Sequence, residues 1–385
     1  MVTRLGLASP TMIIHYLSSS ELPSRTANSI HVMRMCQAFA HNGHRVSLYA
    51  KRSDPTVEDV FACYGVDRCF EIVSCRRPPF RKLPGDLITA TEVAKRAAML
   101  PRPDLFFARQ VYSLAAVAGL GVPMIFEAHT PPVNILQRHV EGWVMRRPHF
   151  VRLIVISDAL RIEYRRLFPW LADSRIVVAH DAADPLETER EGSAEMSWPG
   201  RLGAFQVGYV GHLYRGRGIG LIIELARRLP AVDFHLVGGM ERDLERWKKV
   251  PCPSNLFFHG FIAPRNLFRY YTRFDVMLAP YQQRVLGVGG KKELSRWISP
   301  LKFFEYMAAG KAMVCSDHPV FQEILTHRGN CWLVPHADID AWCRAIELLR
   351  TDHALRDSLG AGAQRDFYAR HTWKQRAAAV LGGYA

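Results

Sequence analysis

A stretch near residue 300 combines a predicted helix start with charged side chains that suit a phosphate ligand. It reads Ser299-Pro-Leu-Lys-Phe-Phe-Glu305. We expect Ser299 to cap the helix and Pro300 to take its first position, which leaves backbone N–H groups and a positive dipole end to bind an anion. Lys302 adds a formal charge there, and the carboxylate of Glu305 can accept hydrogen bonds from two ribose hydroxyls. An ordinary capped helix with solvated charges is the alternative.

A glycine-rich turn with two arginines is the second candidate. A strand predicted over residues 206–210 runs into Gly211-His-Leu-Tyr-Arg215-Gly-Arg217-Gly218, and a helix follows. Glycine lets the backbone approach a ligand closely, and guanidinium groups hold phosphate oxygens in pairs. The spacing matches neither the dinucleotide-binding fingerprint nor a P-loop. We predict phosphate contacts here, with a surface turn carrying solvated arginines as the alternative.

A carboxylate and a histidine follow a third apolar run. The stretch reads Ile125-Phe-Glu127-Ala-His129-Thr-Pro-Pro. Ligands of parallel sheets bind beyond the carboxyl ends of the strands, so Glu127 and His129 would lie at such an edge. A single histidine is as compatible with a structural role as with a catalytic one.

The elements that must position these groups alternate between strand-like and helix-like runs, which is typical of parallel α/β sheets. A polar loop over 18–28 leads into a helix capped by Asn28 or Ser29 and ended by Gly43. A Pro- and Gly-punctuated stretch, 185–203, is predicted to be a linker. We therefore expect two Rossmann-like α/β domains, 1–190 and 204–364, facing across a cleft. The predicted strands are 12–17, 46–50, 122–127, 152–156, 176–179, 206–210, 233–237, 256–259, 275–279, 312–315 and 331–334.

The charge balance is basic, with 50 Lys and Arg against 36 Asp and Glu in 385 residues. A net charge of +14 favours phosphates, anionic membrane or nucleic acid as partners. No nucleic-acid-binding motif is present, which argues against the last of these. The longest uncharged run, 110–126, is too short to span a membrane. The eight cysteines form no CxxC pair, so we expect reduced thiols, a cytoplasmic location and no zinc site.

Together these segments resemble a family 4 glycosyltransferase of the GT-B fold. The resemblance covers nearly the whole chain and keeps the family's order of motifs, in 24–46, 155–160, 180–184, 209–218, 234–239, 274–281, 299–317 and 367–373. It implies transfer of a sugar, with retention at the anomeric carbon, from a nucleotide-diphosphate sugar, UDP-sugar favoured. The acceptor would be a hydroxyl of a glycan, a lipid-linked sugar or a small molecule. It also implies a terminal helix, about 365–385, that crosses back to the first domain.

The resemblance assigns roles to individual positions. Glu305 would bind the ribose, Arg217 matches a lysine that binds the diphosphate, and His129 matches a histidine near the donor sugar. Arg217, Lys302 and the helix dipole would replace the metal used by other sugar transferases, so no metal cofactor is expected. Further donor-side residues are Ser299, Pro300, Leu301, Gly211 and Arg215, and acceptor-side residues are Asn28, Ser29, Arg109 and Glu127.

The sequence departs from the family pattern at two places and contains one stretch that resembles a metal-binding motif. Trp297 stands where the family has the first glutamate of a pair, and the usual Gly-Gly of the first loop is absent. Trp297 suggests a catalytically inactive sugar-nucleotide-binding subunit as one alternative, and a sugar-nucleotide epimerase of the GT-B fold is another. Asp338-Ile-Asp340 resembles a metal-binding DxD motif, but its place before a late helix favours a structural role.

Basic residues interleaved with aromatic ones suggest where an anionic membrane would bind. They predict peripheral, salt-sensitive contact with the inner face of the cell membrane, where a lipid-linked acceptor would lie. A solvated basic face is the alternative. The residues are Arg76, Arg77, Arg81, Lys82, Arg146, Arg147, Arg152, Arg161, Arg165 and Arg166, with Phe80, Trp143, Phe150 and Phe168 among them.

Overall fold

The computed structural model describes residues 11–53, 56–57, 59–75, 85–99, 101–186, 197–287 and 293–384. The chain divides into two compact units. Unit 1 comprises Met1–Ala179 and Trp373–Ala385, and unit 2 comprises His180–Thr372. Each unit is built on one sheet in which every strand pair is parallel. The predicted α/β class with two parallel sheets is confirmed.

The sheet of unit 1 has seven strands in the order β3-β2-β1-β4-β5-β6-β7. Its central strands are buried along their whole length, as expected when helices cover both faces. The strands are β1 Ile13–Leu22, β2 Arg45–Arg52, β3 Glu71–Cys75, β4 Leu105–Ala108, β5 Met124–Ala128, β6 Phe150–Val155 and β7 Ile176–Val178. The helices are α1 Ala27–His41, α2 Val60–Tyr64, α3 Gly85–Ala97, α4 Val111–Val117, α5 Ile135–Met145, α6 Asp158–Leu167 and the terminal α13 Trp373–Leu381.

The start of unit 1 differs from the prediction in three ways. Strand β1 continues through residues 18–22, where a loop was predicted, because a register shift after Leu17 lets it keep pairing with β2. The cap of α1 is Thr26, whose hydroxyl accepts from Ser29 N–H at 3.3 Å, rather than Asn28 or Ser29. Strands β3 and β4 were not predicted, since one is a half-exposed strand at the sheet edge and the other has only four residues.

The sheet of unit 2 has six strands in the order β10-β9-β8-β11-β12-β13. One apolar core packs its strands against α7 and α11 and includes the fully buried Trp342. The strands are β8 Phe205–Val210, β9 Val232–Val237, β10 Leu256–Gly260, β11 Val276–Ala279, β12 Ala312–Ser316 and β13 Trp332–Val334. The helices are α7 Ile219–Arg228, α8 Glu241–Lys248, α9 Phe268–Tyr271, α10 Leu301–Ala308, α11 Ile339–Thr351 and α12 His353–Arg370.

The end of the predicted linker, 185–203, packs against the sheet of unit 2. The Trp198 ring lies 4.5 Å from that of His235 and donates a hydrogen bond to Gln206 at 3.3 Å. Arg201 pairs with the buried Asp233 at 2.6 Å. These contacts fix residues 198–201 to β8 and β9, and residues 187–196 of the predicted linker lie outside the described residues.

No helix in the described part of the chain is both long enough and apolar enough to cross a membrane.

Candidate functional site

The carboxyl end of β8 in unit 2 packs against α10. The Tyr306 hydroxyl accepts a hydrogen bond from Val210 N–H at 2.9 Å, which ties the helix to the end of the strand. Gly211 follows with φ 144°, a backbone conformation that L side chains rarely adopt. A Cβ at this position would lie 2.9 Å from Lys302 Nζ. Glycine therefore leaves the space that the lysine ammonium occupies at this sheet edge.

Lys302 is a buried cation in this space, with only 8% of its surface exposed. Its Nζ lies 3.7 Å from the centroid of the Tyr209 ring and 5.3 Å from that of Tyr281. Among the described residues, this Nζ has no hydrogen-bond partner. Burial, reinforced by the charge of Arg217, lowers the pKa of the ammonium well below its usual value. A desolvated cation without a hydrogen-bonded anion is costly, and such groups concentrate at ligand sites.

Arg217, in the glycine-rich turn, also lies beside Tyr281. Its guanidinium carbon lies 5.0 Å from the Tyr281 ring centroid. Burial raises the pKa of Tyr281, and the positive charge of Arg217 opposes this effect. Its Nε is buried and has no partner within the described ranges. The structure thus brings Arg217 and Lys302 to one buried aromatic side chain, whereas Arg215 is exposed to solvent. Two cations with unused donors at one place suit a diphosphate.

The start of α10 differs in detail from the prediction. The N-cap is Pro300 and not Ser299, because Pro300 is still extended with ψ 120° and the helix begins at Leu301. The Ser299 hydroxyl instead accepts from Asp181 N–H at 2.9 Å. No side chain of the described residues caps the helix, so within them its first-turn N–H groups are not taken by a capping oxygen. This arrangement keeps the predicted anion-binding end of the helix available.

Glu305 lies one turn along α10, half-buried. Its Oε2 accepts a hydrogen bond from the Tyr271 hydroxyl at 3.1 Å. Its negative charge raises the pKa of Lys302, against the larger effect of burial, so the two side chains interact electrostatically. The structure therefore brings Gly211, Arg217, Lys302 and Glu305 to one region of unit 2.

In unit 1, the end of β5 carries a buried carboxylate with three ionisable neighbours. Glu127 Oε1 lies 2.8 Å from His31 Nε2, 2.5 Å from His129 Nε2 and 3.1 Å from an Arg376 nitrogen. Arg376 also reaches Oε2 at 3.3 Å. We call these four residues the Glu127 cluster. Glu127 is fully buried, and its predicted place on the acceptor side stays a prediction.

The charges of the Glu127 cluster are compensated internally. Burial alone would raise the pKa of Glu127, but Arg376 and the two histidines hold it well below its usual value. Burial and the charge of Arg109 lower the pKa of His129 to about 3, against the opposing effect of Glu127. Of the described residues, His31, Glu127 and His129 bring three potential metal-ligand atoms within 4.8 Å of one another. The Arg376 guanidinium already provides the cation beside this carboxylate.

The other predicted acceptor-side residues lie near the ends of β1 and β4. An Arg109 nitrogen donates to Asn28 O at 3.4 Å, and Asn28 Nδ2 donates to Ser20 Oγ at 2.7 Å. Ser29 is buried, with its hydroxyl 2.9 Å from the carbonyls of Ser24 and Thr26. The charge of Arg109 lowers the pKa of His129, so the two side chains are close in space. These residues and the Glu127 cluster therefore occupy one edge of the sheet of unit 1.

Sequence reasoning missed several residues of these sites. His31 and Arg376 lie 96 positions before and 249 positions after Glu127, and no spacing rule connects them. Tyr281 was part of a matched segment but had no assigned role. Asp338 and Asp340 behave as predicted for a helix start: Asp338 caps α11 by accepting from Ala341 N–H at 2.9 Å, and Asp340 pairs with Arg228 at 2.6 Å.

Two family models match consecutive parts of the chain. Residues 29–185 match Glycosyltransferase Family 4, and residues 217–382 match a model described as Glycosyl transferase-like. No curated protein matches the chain significantly.

Several solved structures share the fold at low sequence identity. The Anabaena Alr3699/HepE structure in complex with UDP is 17% identical, with a TM-score of 0.69 over 96% of this chain and 99% of that one. Sucrose-phosphate synthase from Thermosynechococcus elongatus is 18% identical, with a TM-score of 0.71 over 95% and 96%. A Rickettsia africae glycosyltransferase is 10% identical, with a TM-score of 0.72 over 97% and 99%. The chain therefore carries a Glycosyltransferase Family 4 domain followed by a Glycosyl transferase-like domain, shares the GT-B fold of these neighbours, and is a transferase enzyme.

Proposed function

We propose that the protein transfers a sugar from a UDP-sugar to a hydroxyl of a glycan or lipid-linked acceptor, with retention at the anomeric carbon. The observation that carries this proposal is the buried ammonium of Lys302, which has no hydrogen-bond partner among the described residues and lies beside Arg217. Two neighbouring cations of this kind suit a ligand with two negative charges, such as a diphosphate. Neighbours of the same fold were solved with UDP and with UDP-glucose, which supports the choice of base.

The chemistry follows from the charges around Tyr281. As the bond between the anomeric carbon and the phosphate oxygen breaks, negative charge grows on the leaving diphosphate. Lys302, Arg217 and the start of α10 would stabilise that charge without a metal ion. The acceptor oxygen bonds to the same face of the sugar, and its proton passes to the leaving phosphate oxygen. Glu305 would accept hydrogen bonds from the ribose, the role that the family resemblance implies for it.

The test compares two lysines of unit 2, the buried Lys302 and the half-buried Lys311. Lys302→Met removes the unpartnered ammonium. Lys311→Met is the matched control, because burial also lowers the pKa of Lys311 but its Nζ donates to Thr272 O at 3.2 Å. We expect Lys302→Met to weaken UDP binding by about tenfold or more in calorimetry, since a charge-assisted hydrogen bond contributes roughly 1.5–3 kcal/mol. Lys311→Met should bind UDP as tightly as the parent protein.

The stability of the ligand-free variants separates a binding role from a structural one. Removing an unpartnered buried charge should leave the unfolding midpoint of Lys302→Met unchanged or raise it. If instead this variant melts earlier than Lys311→Met and binds UDP normally, Lys302 is structural and the proposal fails. The initial anomer released when UDP-glucose is hydrolysed, followed by NMR, tests retention.

Unit 1 carries a surface that suits a lipid-linked acceptor. Ile135 and Ile162 are 74% and 60% exposed, and exposed Leu136 and Trp143 accompany them. Arginines stack on the tryptophans, with Arg147 3.8 Å from Trp143 and Arg146 3.8 Å from Trp170. We call this surface of α5 and α6 the α5–α6 patch.

Exposed apolar side chains next to arginines are the combination that binds anionic bilayers peripherally. We propose that the α5–α6 patch attaches the enzyme to the inner face of the cell membrane, and that the product is part of a polysaccharide or glycolipid. Four of the predicted basic residues, Arg76, Arg77, Arg81 and Lys82, lie outside the described residues, as does Phe80. Arg152 is tied to Gly382 O at 2.6 Å and belongs to the attachment of the chain end instead.

A further inference from the structure

We infer that Glu127 is a positioning residue that fixes the ring tautomer of His129, and that Arg376 of the terminal helix holds Glu127 in place for this purpose. The inference rests on the proposed function, because it gives His129 a part in the sugar transfer. It also assigns to α13 a role in the reaction that no sequence motif indicated.

The hydrogen bonds of Glu127 determine which nitrogen of His129 carries a proton. A carboxylate paired with a guanidinium is ionised and only accepts. His129 Nε2, 2.5 Å from Oε1, must therefore be the donor. Since the second ring nitrogen of a neutral imidazole has no proton, Nδ1 carries a lone pair.

The lone pair on Nδ1 is available to a substrate. His129 is 21% exposed, and its Nδ1 has no hydrogen-bond partner within the residues that the structure describes. The edge of His31 stands against the His129 ring at 5.0 Å between centroids, which restricts rotation of the ring. A sugar hydroxyl can donate to this nitrogen, whereas the other tautomer would present an N–H and accept nothing.

Arg376 makes the arrangement depend on the end of the chain. Besides Glu127, its guanidinium donates to Ala179 O at 3.2 Å and contacts Met35 Sδ at 3.3 Å. It is buried, and Trp373 on the same helix stands edge-on to His31 at 5.0 Å. One side chain of α13 thus joins α1, the end of β5 and the residue after β7.

The decisive variant removes the pair as a unit. In the double variant Glu127→Met with Arg376→Met, apolar side chains of similar length replace both charges, an exchange that buried ion pairs often tolerate. Asn42→Ala is the matched control: it removes the 3.0 Å hydrogen bond from Asn42 to Lys374 O, which also docks α13, without touching the cluster.

The first readout is the tautomer itself, on the free enzyme. In ¹⁵N-histidine-labelled protein at pH 7, we expect the His129 ring, assigned by its loss in His129→Gln, to show Nε2–H alone. The double variant should show a mixture of tautomers, while Asn42→Ala should match the parent. A parent ring protonated on Nδ1 would overturn the inference whatever the enzyme's substrate is.

The second readout is the rate of UDP release from UDP-glucose. Because misplacing a reacting group costs about 100-fold in rate, kcat of the double variant should fall by that order while its Kd for UDP stays within about twofold. A folded double variant with altered tautomers and full activity would show that the positioning has no catalytic role. Failure of the proposed function would appear separately, as unaltered UDP binding in Lys302→Met.

Discussion

The hydroxyl of Tyr271 donates a hydrogen bond to Oε2 of Glu305 at 3.1 Å, linking α9 to the middle of α10. Burial and, after it, the negative charge of Glu305 raise the pKa of this tyrosine well above its usual value, so it remains a donor. The bond fixes one carboxylate oxygen of Glu305 in a defined direction. A ligand bound by this carboxylate therefore meets a preorganised group.

Nucleotide binding should depend on Glu305 more than on Tyr271. Glu305→Ala removes charge-assisted hydrogen bonds worth roughly 1.5–3 kcal/mol, so the Kd for UDP should rise by about tenfold or more. Tyr271→Phe loses only the bond that orients the carboxylate, worth roughly 0.5–1.5 kcal/mol, and should have a smaller effect. Calorimetry with UDP measures both, and unchanged affinity in Glu305→Ala would refute ribose binding by this residue.

The two arginines of the glycine-rich turn should differ in their effect on turnover. Arg217→Ala removes a half-buried charge beside Tyr281 and should lower kcat by roughly 100-fold, the usual loss for one donor to a developing anion. Arg215 is exposed, so Arg215→Ala serves as the matched control with a much smaller loss. If Arg217→Ala instead unfolds early and keeps its activity, its contact with Tyr281 is structural.

Activity should survive a chelator. Arg217, Lys302 and the start of α10 are expected to neutralise the leaving diphosphate, and Asp338 and Asp340 are engaged with Ala341 and Arg228. UDP release from UDP-glucose should therefore proceed unchanged in excess EDTA. Complete loss, restored by manganese or magnesium, would contradict this and direct attention to His31, Glu127 and His129.

Acid should destabilise the protein well before its carboxylates titrate. Burial lowers the pKa of His15 to about 4, and burial followed by the charge of His259 lowers that of His235 to about 3, against 6.5 for the free side chain. Below about pH 6.5 these histidines bind protons in the unfolded chain but stay neutral in the folded chain. The free energy of unfolding therefore falls as the pH decreases.

The size of this effect can be measured with one variant. Each such histidine contributes at most about 1.4 kcal/mol per pH unit between its unfolded and folded pKa values. His235→Gln cannot take up a proton, so urea unfolding of this variant at pH 7, 6 and 5 should show a shallower decline than the parent. An equal slope in both proteins would mean that His235 titrates normally in the folded state.

Binding to vesicles should require both anionic lipid and the α5–α6 patch. Sedimentation with phosphatidylglycerol-containing vesicles should recover the enzyme at low salt and lose it at high salt, since each nearby arginine contributes about 1 kcal/mol. Ile135→Asp should reduce this binding. Met99→Asp is the control, because Met99 is 72% exposed in the same unit but outside the patch. Equal recovery with neutral vesicles, or none at low salt, would refute the membrane proposal.

The local motifs could be predicted because their chemistry is contained in short stretches of chain. The alternation of apolar runs and helices predicted two parallel sheets, and the turn at Gly211–Gly218 and the helix from Leu301 were located from glycine and proline chemistry. The assignment to a family followed from the order of these motifs. The helix cap at Pro300 and the extension of β1 were not predictable, since both depend on partners distant in sequence, Asp181 for Ser299 and β2 for β1.

The state of each charged side chain was decided only by the tertiary structure. The sequence names Lys302 and Glu127 as charges but does not say that one lacks a hydrogen-bond partner in the described part of the chain or that the other is enclosed by three. Burial and the convergence of α1, β5 and α13 set these conditions. The sequence by itself determined which groups can do chemistry, and packing decided which of them are desolvated and how they are oriented, because desolvation and hydrogen-bond geometry depend on neighbours that are remote along the chain.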